Sequence, residues 1–274
     1  MANSGIMFFM EPYIKPLPKA LTTYDFLKLL AVVTMIIDHV GHYFFPEQLE
    51  WRAIGRMSMP IWLFLVGYAN TREIPTILWG GALVLLASYL VFGNSLLSLN
   101  ILFTIIITRF VLDALIRLTF QNNEMFFLSI IGLLFLAIPT TFLFDYGTQA
   151  FMWALVGYVV RNREQIGWNN GKVLGFMALI SIIYMAYQAL FFGFNQSQTV
   201  IMMICVATSF YFLYNFKGEV LPDISAKTPV FLQSVIKFCG RKTLHIYVGH
   251  LIFFLMIALF VFPDRFGLFH LKLY

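Results

Sequence analysis

Apolar residues run along this chain in long blocks instead of alternating with polar ones. Each block approaches the roughly 20 residues a helix needs to cross a bilayer, and polar residues, Gly or Pro punctuate the joins. Nine blocks can be drawn, over 23–45, 57–71, 75–93, 97–118, 125–144, 146–160, 172–193, 198–216 and 243–262. The blocks at 57–71 and 146–160 are short and read as tilted or partly re-entrant. The stretch from Pro229 to Cys239 is too short to span and reads as an interfacial helix. The pattern predicts an all-α fold: one polytopic membrane bundle over 1–274, with about nine (8–10) transmembrane helices.

Composition agrees. Hydrophobic residues make up 60% of the chain and charged residues only 11%, with 31 Phe. A soluble core of this length cannot absorb so much apolar surface, whereas a lipid bilayer can. The net charge of +5 is not a nucleic-acid signature, because the basic residues are spread over the joins between blocks. With the N-terminus inside, the cytoplasmic joins hold Lys15, Lys19, Arg72, Arg117, Arg161, Arg163, Lys172, Lys217, Lys227, Lys237, Arg241 and Lys242. The outside joins hold only Arg52, Arg56, Arg265 and Lys272. The positive-inside rule therefore predicts a multi-pass protein of the inner (cytoplasmic) membrane with a cytoplasmic N-terminus. Cys205 and Cys239 lack metal-ligand spacing, and no metal is expected.

The candidate chemistry lies in polar residues within the blocks, where a charge at depth costs about 2.5–3.5 kcal/mol on insertion scales and usually faces a cavity or a partner. In the first block, Lys28 and His39 stand 11 residues apart, about 20° beyond three full turns and about 16 Å along the axis. Asp25, Lys28, Val32, Met35, His39 and His42 form one stripe. Asp38 is offset from His39 by about 100°, too far round to orient that ring directly. In the fourth block, Arg109 and Asp113 are spaced i, i+4 and are expected to pair. Such a pair either holds helices together or binds an anionic group. The last block carries His245, Tyr247 and His250, with His250 the deeper candidate. Arg52 and Arg56, four apart before the second block, are candidates for lipid anchors or an anion clamp at the outer mouth.

Five stretches carry a resemblance over nearly the whole chain: LKLLAVVTMIIDHVGHYFF, WRAIGRMSMPIWLFLVGY, NILFTIIITRF, FDYGTQAFMWALVGY and FCGRKTLHIYVGHLIFF. They resemble the TraX family, membrane proteins linked to N-terminal acetylation of conjugative pilin. More broadly the chain is similar to the acyltransferase 3 and transmembrane acyltransferase group, whose first helix carries an Arg, ten residues and then a His. Here Lys28 replaces the Arg and His39 is the His. That substitution keeps the charge but loses the planar fork.

The resemblance implies acetyl transfer from acetyl-CoA to a hydroxyl or amine acceptor, such as a pilin N-terminus, a glycan or a lipid-linked headgroup. In that scheme His39 is a general base, or a transient acyl carrier, with Asp38 beside it. Lys28, Lys237, Arg241 and Lys242 would hold the CoA phosphates, and His42, Arg52, Arg56, Arg109, Asp113 and His250 would line the acceptor site. A proton-coupled transporter or flippase would use the same intramembrane His, Asp and Arg residues.

Overall fold

A computed structural model describes residues 17–92 and 99–268. Among them are twelve helices and no strand: α1 (Thr23–Phe44), α2 (Leu49–Gly55), α3 (Ser58–Tyr68), α4 (Thr76–Val91), α5 (Ile101–Thr119), α6 (Asn123–Thr141), α7 (Gln149–Asn162), α8 (Asn170–Phe192), α9 (Gln196–Tyr214), α10 (Pro222–Lys227), α11 (Val230–Arg241) and α12 (Thr243–Val261). Five of these, α1, α6, α8, α9 and α12, are long and apolar enough to cross a membrane. α4 is apolar but shorter, and α5 carries Arg109, Asp113 and Arg117.

The two short blocks form the centre of the molecule. α3 buries eight of its 11 residues and α7 ten of its 14. They cross where Gly67 meets the backbone of Ala154 and Gly157 meets the backbone of Phe64, so that neither glycine has room for a Cβ. Trp153 and Phe64, each fully buried, fill the space beside this crossing. A helix sheathed by other helices does not need the length of a lipid-facing one, because protein already satisfies its surroundings. The peripheral helices turn large apolar side chains outward, such as Phe135, Leu190 and Phe260, which are 78%, 84% and 83% exposed. Such a belt suits lipid as the surrounding solvent.

Contacts sort the helix ends into two levels. At one level Asp25 meets Arg241, Thr22 bridges to Val220, and the ring of Phe216 lies against those of Tyr24 and Tyr68. At the other, Gln198 donates to Glu50, and Arg56 meets both Gln188 and the ring of Tyr146. α1 and α8 therefore run from the first level to the second, and α3, α7 and α9 run back.

The interfacial stretch is helical over Val230–Arg241. Its Phe231 is 80% exposed, while Ile236 and Gly240 are buried, and Gly240 lies against Asp25. Asp25 serves two purposes. With Thr22 it closes a capping box on α1, and both its oxygens accept from Arg241 at 3.1 Å.

Candidate active site

A cavity of about 890 Å³ opens beside α1 and is walled chiefly by α3, α5, α8 and α12. Tyr24, Lys28, Arg109 and Arg161 line one end, and Asp38, His39, His42, Arg52, Arg56 and Tyr146 line the other. Of the stripe on α1, Lys28, Met35, His39 and His42 line the cavity, while Asp25 and Val32 do not. His39 lies about 16 Å from Lys28 by helical rise.

The second end is built by α2. A Cβ on Gly55 would strike the Asp38 side chain, and one on Gly41 would strike Trp51, so both glycines permit close approach of α1 and α2. Arg52 and Arg56, one turn apart, then converge on Asp38. Arg52 donates from Nη1 to Asp38 Oδ2 at 2.6 Å and to the Asp38 carbonyl at 3.2 Å. Arg56 donates from Nη2 to Asp38 Oδ1, from Nε to the Arg52 carbonyl and from Nη1 to Gln188. Gln188 passes its own amide to Gln149 at 3.1 Å, and the Tyr184 hydroxyl donates to the Arg56 carbonyl at 2.8 Å. The Phe192 ring covers both guanidinium groups, 5.1 Å from Arg52 and 4.6 Å from Arg56. Arg56 is 2% exposed and Asp38 5%. This is a buried ion cluster in which two guanidinium groups share one carboxylate, and Arg56 has its remaining donors engaged by Gln188 and the Arg52 carbonyl.

His39 belongs to a different arrangement. Its Nδ1 lies 2.8 Å from Nε2 of His250, and Nδ1 of His250 lies 2.7 Å from the Ile246 carbonyl. A carbonyl only accepts, so His250 carries its hydrogen on Nδ1. Nε2 of a neutral His250 must then accept, and Nδ1 of His39 must donate to it. The lone pair of His39 is left on Nε2. His39 lines the cavity and His250 stands behind it. His42 also lines the cavity and packs edge-on to Tyr43, with ring centroids 4.8 Å apart.

A family model described as TraX protein matches residues 23–258. The chain belongs to the TraX family. It is 28% identical over 253 residues to an uncharacterized protein of Rickettsia prowazekii (strain Madrid E), covering 89% of this chain and 94% of that relative. No solved structure matches it.

Several residues expected at the site of this TraX-family chain stand elsewhere. Arg109 and Asp113 do not pair. Arg109 donates to the Glu73 carbonyl, while Asp113 is exposed and pairs with Arg72 at 3.0 Å. The α3–α4 linker lies between them and offers each a closer partner. Arg241 is committed to Asp25 and the Ala20 carbonyl, and Lys237 bonds Gln233 on its own helix. Neither residue lines the cavity, nor do Lys242, Asp113 or His250.

Two further wall residues stand out only in the structure. Arg161, in sequence one basic residue of a cytoplasmic join, lines the cavity. Tyr146 opens the apolar block over 146–160. It stands at a positive φ of 65° on the wall under Arg56, a backbone state uncommon for a side chain of its size. The signal available for Tyr146 was its following glycine, itself at φ 49°.

Proposed function

We propose that this chain is a membrane acetyltransferase that moves an acetyl group from cytosolic acetyl-CoA to a hydroxyl or amine acceptor, with His39 as general base. One observation carries the reading. The chain Ile246 carbonyl–His250–His39 leaves an unprotonated Nε2 on a ring at the cavity wall. TraX-family membership supports it.

In this mechanism Nε2 of His39 takes the proton of the acceptor hydroxyl or amine as its oxygen or nitrogen attacks the thioester carbonyl carbon. His250 accepts from Nδ1 throughout and steadies the imidazolium that forms. The negative charge that develops on the carbonyl oxygen is met by Arg52, which lines the cavity and is held there by Asp38. Collapse breaks the carbon–sulfur bond. The CoA thiolate leaves and is neutralised by the proton held on His39. Asp38 makes no contact with the His39 ring in this scheme; it holds Arg52 and Arg56 in place.

The finer topology is part of the same proposal. The alternation of helix ends supports nine crossings, with α3, α4, α5 and α7 completing the five long apolar spans. The level of Lys28 is then cytoplasmic, in the inner membrane. The Lys28–His39 spacing supports kinship with the acyltransferase 3 group. The acceptor is a pilin N-terminus, a glycan or a lipid headgroup.

The test is transfer of label from acetyl-CoA by the full chain in lipid nanodiscs, offered acceptors of each class. His39→Ala should lower transfer by about 10²–10⁴-fold. Undiminished transfer would sink the assignment of the base. His250 is a positioning residue, and its test is rescue. His250→Leu removes the acceptor for Nδ1 and should slow transfer markedly, whereas His250→Gln restores an acceptor oxygen and should recover part of the rate. Equal loss in both variants would reduce His250 to a packing role.

A further inference from the structure

The end of the cavity remote from His39 holds cations of an unusual kind. Lys28 comes from α1, Arg109 from α5 and Arg161 from α7, and all three line the same space. Lys28 is close enough to Asp25 and to Arg109 to feel both charges. The ion pairs among the described residues are Arg52–Asp38, Arg56–Asp38, Arg72–Asp113 and Arg241–Asp25, and none includes these three residues. Asp25, whose charge reaches Lys28, is already paired with Arg241, and Asp113 is paired with Arg72.

Each arginine is fixed by a backbone carbonyl. Arg161 Nη1 donates to Tyr68 at 2.6 Å, and its guanidinium lies 5.0 Å from the centre of that ring. Arg109 Nη1 donates to Glu73 at 2.5 Å, while its Nε is buried with no partner. These anchors hold the guanidinium groups in place without neutralising them. Like charges gathered in a partly desolvated cavity are costly unless an anion joins them. A single carboxylate would leave two of the three charges unmet. Vicinal phosphates match three donors arriving from three helices, and planar guanidinium forks suit phosphate oxygens.

We propose that Lys28, Arg109 and Arg161 form a binding site for the diphosphate of a soluble, nucleotide-bearing donor. The assignment rests on the acetyltransferase reading and deepens it, because it places the phosphates of the donor at these three residues and not at Lys237, Arg241 and Lys242. The cavity itself argues for a donor with an arm. It continues about 16 Å along α1 from Lys28 to His39, so a phosphate held at Lys28 leaves a path for an extended chain to reach the base. A membrane lipid offers the same phosphate chemistry, and the test separates the two sources.

The experiment is equilibrium binding to the full chain in phosphatidylcholine nanodiscs, with CoA, ADP, pyrophosphate and pantetheine as probes. CoA, ADP and pyrophosphate should bind in a salt-dependent manner. Arg109→Gln, Arg161→Gln and Lys28→Gln should each weaken CoA and ADP by about tenfold and leave pantetheine unchanged. Lys237→Gln and Lys242→Gln, outside the cavity, should change nothing. Lys28 makes no hydrogen bond among the described residues, so its variant keeps the test open if an arginine variant misfolds.

Equal CoA affinity in the wild type and all three variants would overturn the site, and so would loss at Lys237 or Lys242 instead. If phosphatidylglycerol nanodiscs abolish ADP binding at physiological salt, the site belongs to a lipid headgroup and the nucleotide assignment falls. If ADP and pyrophosphate bind through the three residues but acetyl-CoA neither competes nor donates its acetyl group, the phosphate site stands and the acetyltransferase reading fails.

Discussion

The two ends of one cavity handle buried charge in opposite ways. At the Asp38 end, two arginines share one carboxylate, Gln188 takes a further donor, and Phe192 covers the guanidinium faces. At the Lys28 end, three cations stand with no carboxylate in contact among the described ion pairs. Both ends are expensive, but only the first has a carboxylate of the protein's own in contact with its cations. An ionisable residue inside a membrane protein is thus not one kind of signal. Asp38 is costly and belongs to the architecture. Lys28, Arg109 and Arg161 are costly and incomplete, and incompleteness is the mark of a ligand site. His39 lies between the two cases, with one nitrogen engaged by His250 and the other turned to the cavity.

Removing the carboxylate from the Asp38 end is the strongest way to break the contrast. Asp38→Asn leaves Arg52 and Arg56 buried without their counter-charge, and losing one partner of a buried ion pair costs about 3–5 kcal/mol. The expected result is a large fall in melting temperature or in folded yield, whatever happens to transfer. A variant that melts like the wild type but loses all transfer would move Asp38 into the chemistry. Gly55→Ala should follow with a smaller loss, about 1–3 kcal/mol, because its Cβ would press into the Asp38 side chain. Unchanged stability there would mean that α2 can shift without opening the ion cluster.

Much of this was legible in the sequence. The helical blocks were visible because lipid imposes a length and an apolar composition on each of them, and nothing in the tertiary fold overrides that. The stripe on α1 was visible because it depends only on helical arithmetic, which also kept Asp38 away from the ring of His39. Pairing between helices was not legible. Arg109 and Asp113 have the right spacing, yet the α3–α4 linker comes between them and supplies Glu73's carbonyl to one and Arg72 to the other. Arg241 looked available for phosphate, but α11 docks on α1 and brings it to Asp25, 216 residues away. The choice of His250 as partner for His39 depends on how α12 is rotated against α1, which no spacing within either helix reveals. The central place of α3 and α7 was hidden for a related reason. Shortness reads as a weak span when the lipid is imagined on all sides, and as a core helix only once the neighbours are known.

The smallest effects sharpen the contrast from the other side. Asp113→Asn removes an exposed partner of Arg72, and exposed ion pairs contribute about 0–1 kcal/mol. Melting temperature should fall slightly or not at all. Lys28→Gln should move stability even less, within about 0.5 kcal/mol, and any change should be a gain. The sign follows from the surroundings of Lys28. It contributes no ion pair to lose, and removing its charge relieves the cost of burying it, which outweighs the pull of Asp25, already paired with Arg241. The same substitution at a paired site would be destabilising. Thermal unfolding in nanodiscs without added anions measures this directly. Pyrophosphate should then raise the melting temperature of the wild type more than that of Lys28→Gln, since a ligand stabilises in proportion to its affinity for the folded state. A clear loss of stability in Lys28→Gln without ligand would mean that the protein already neutralises this lysine.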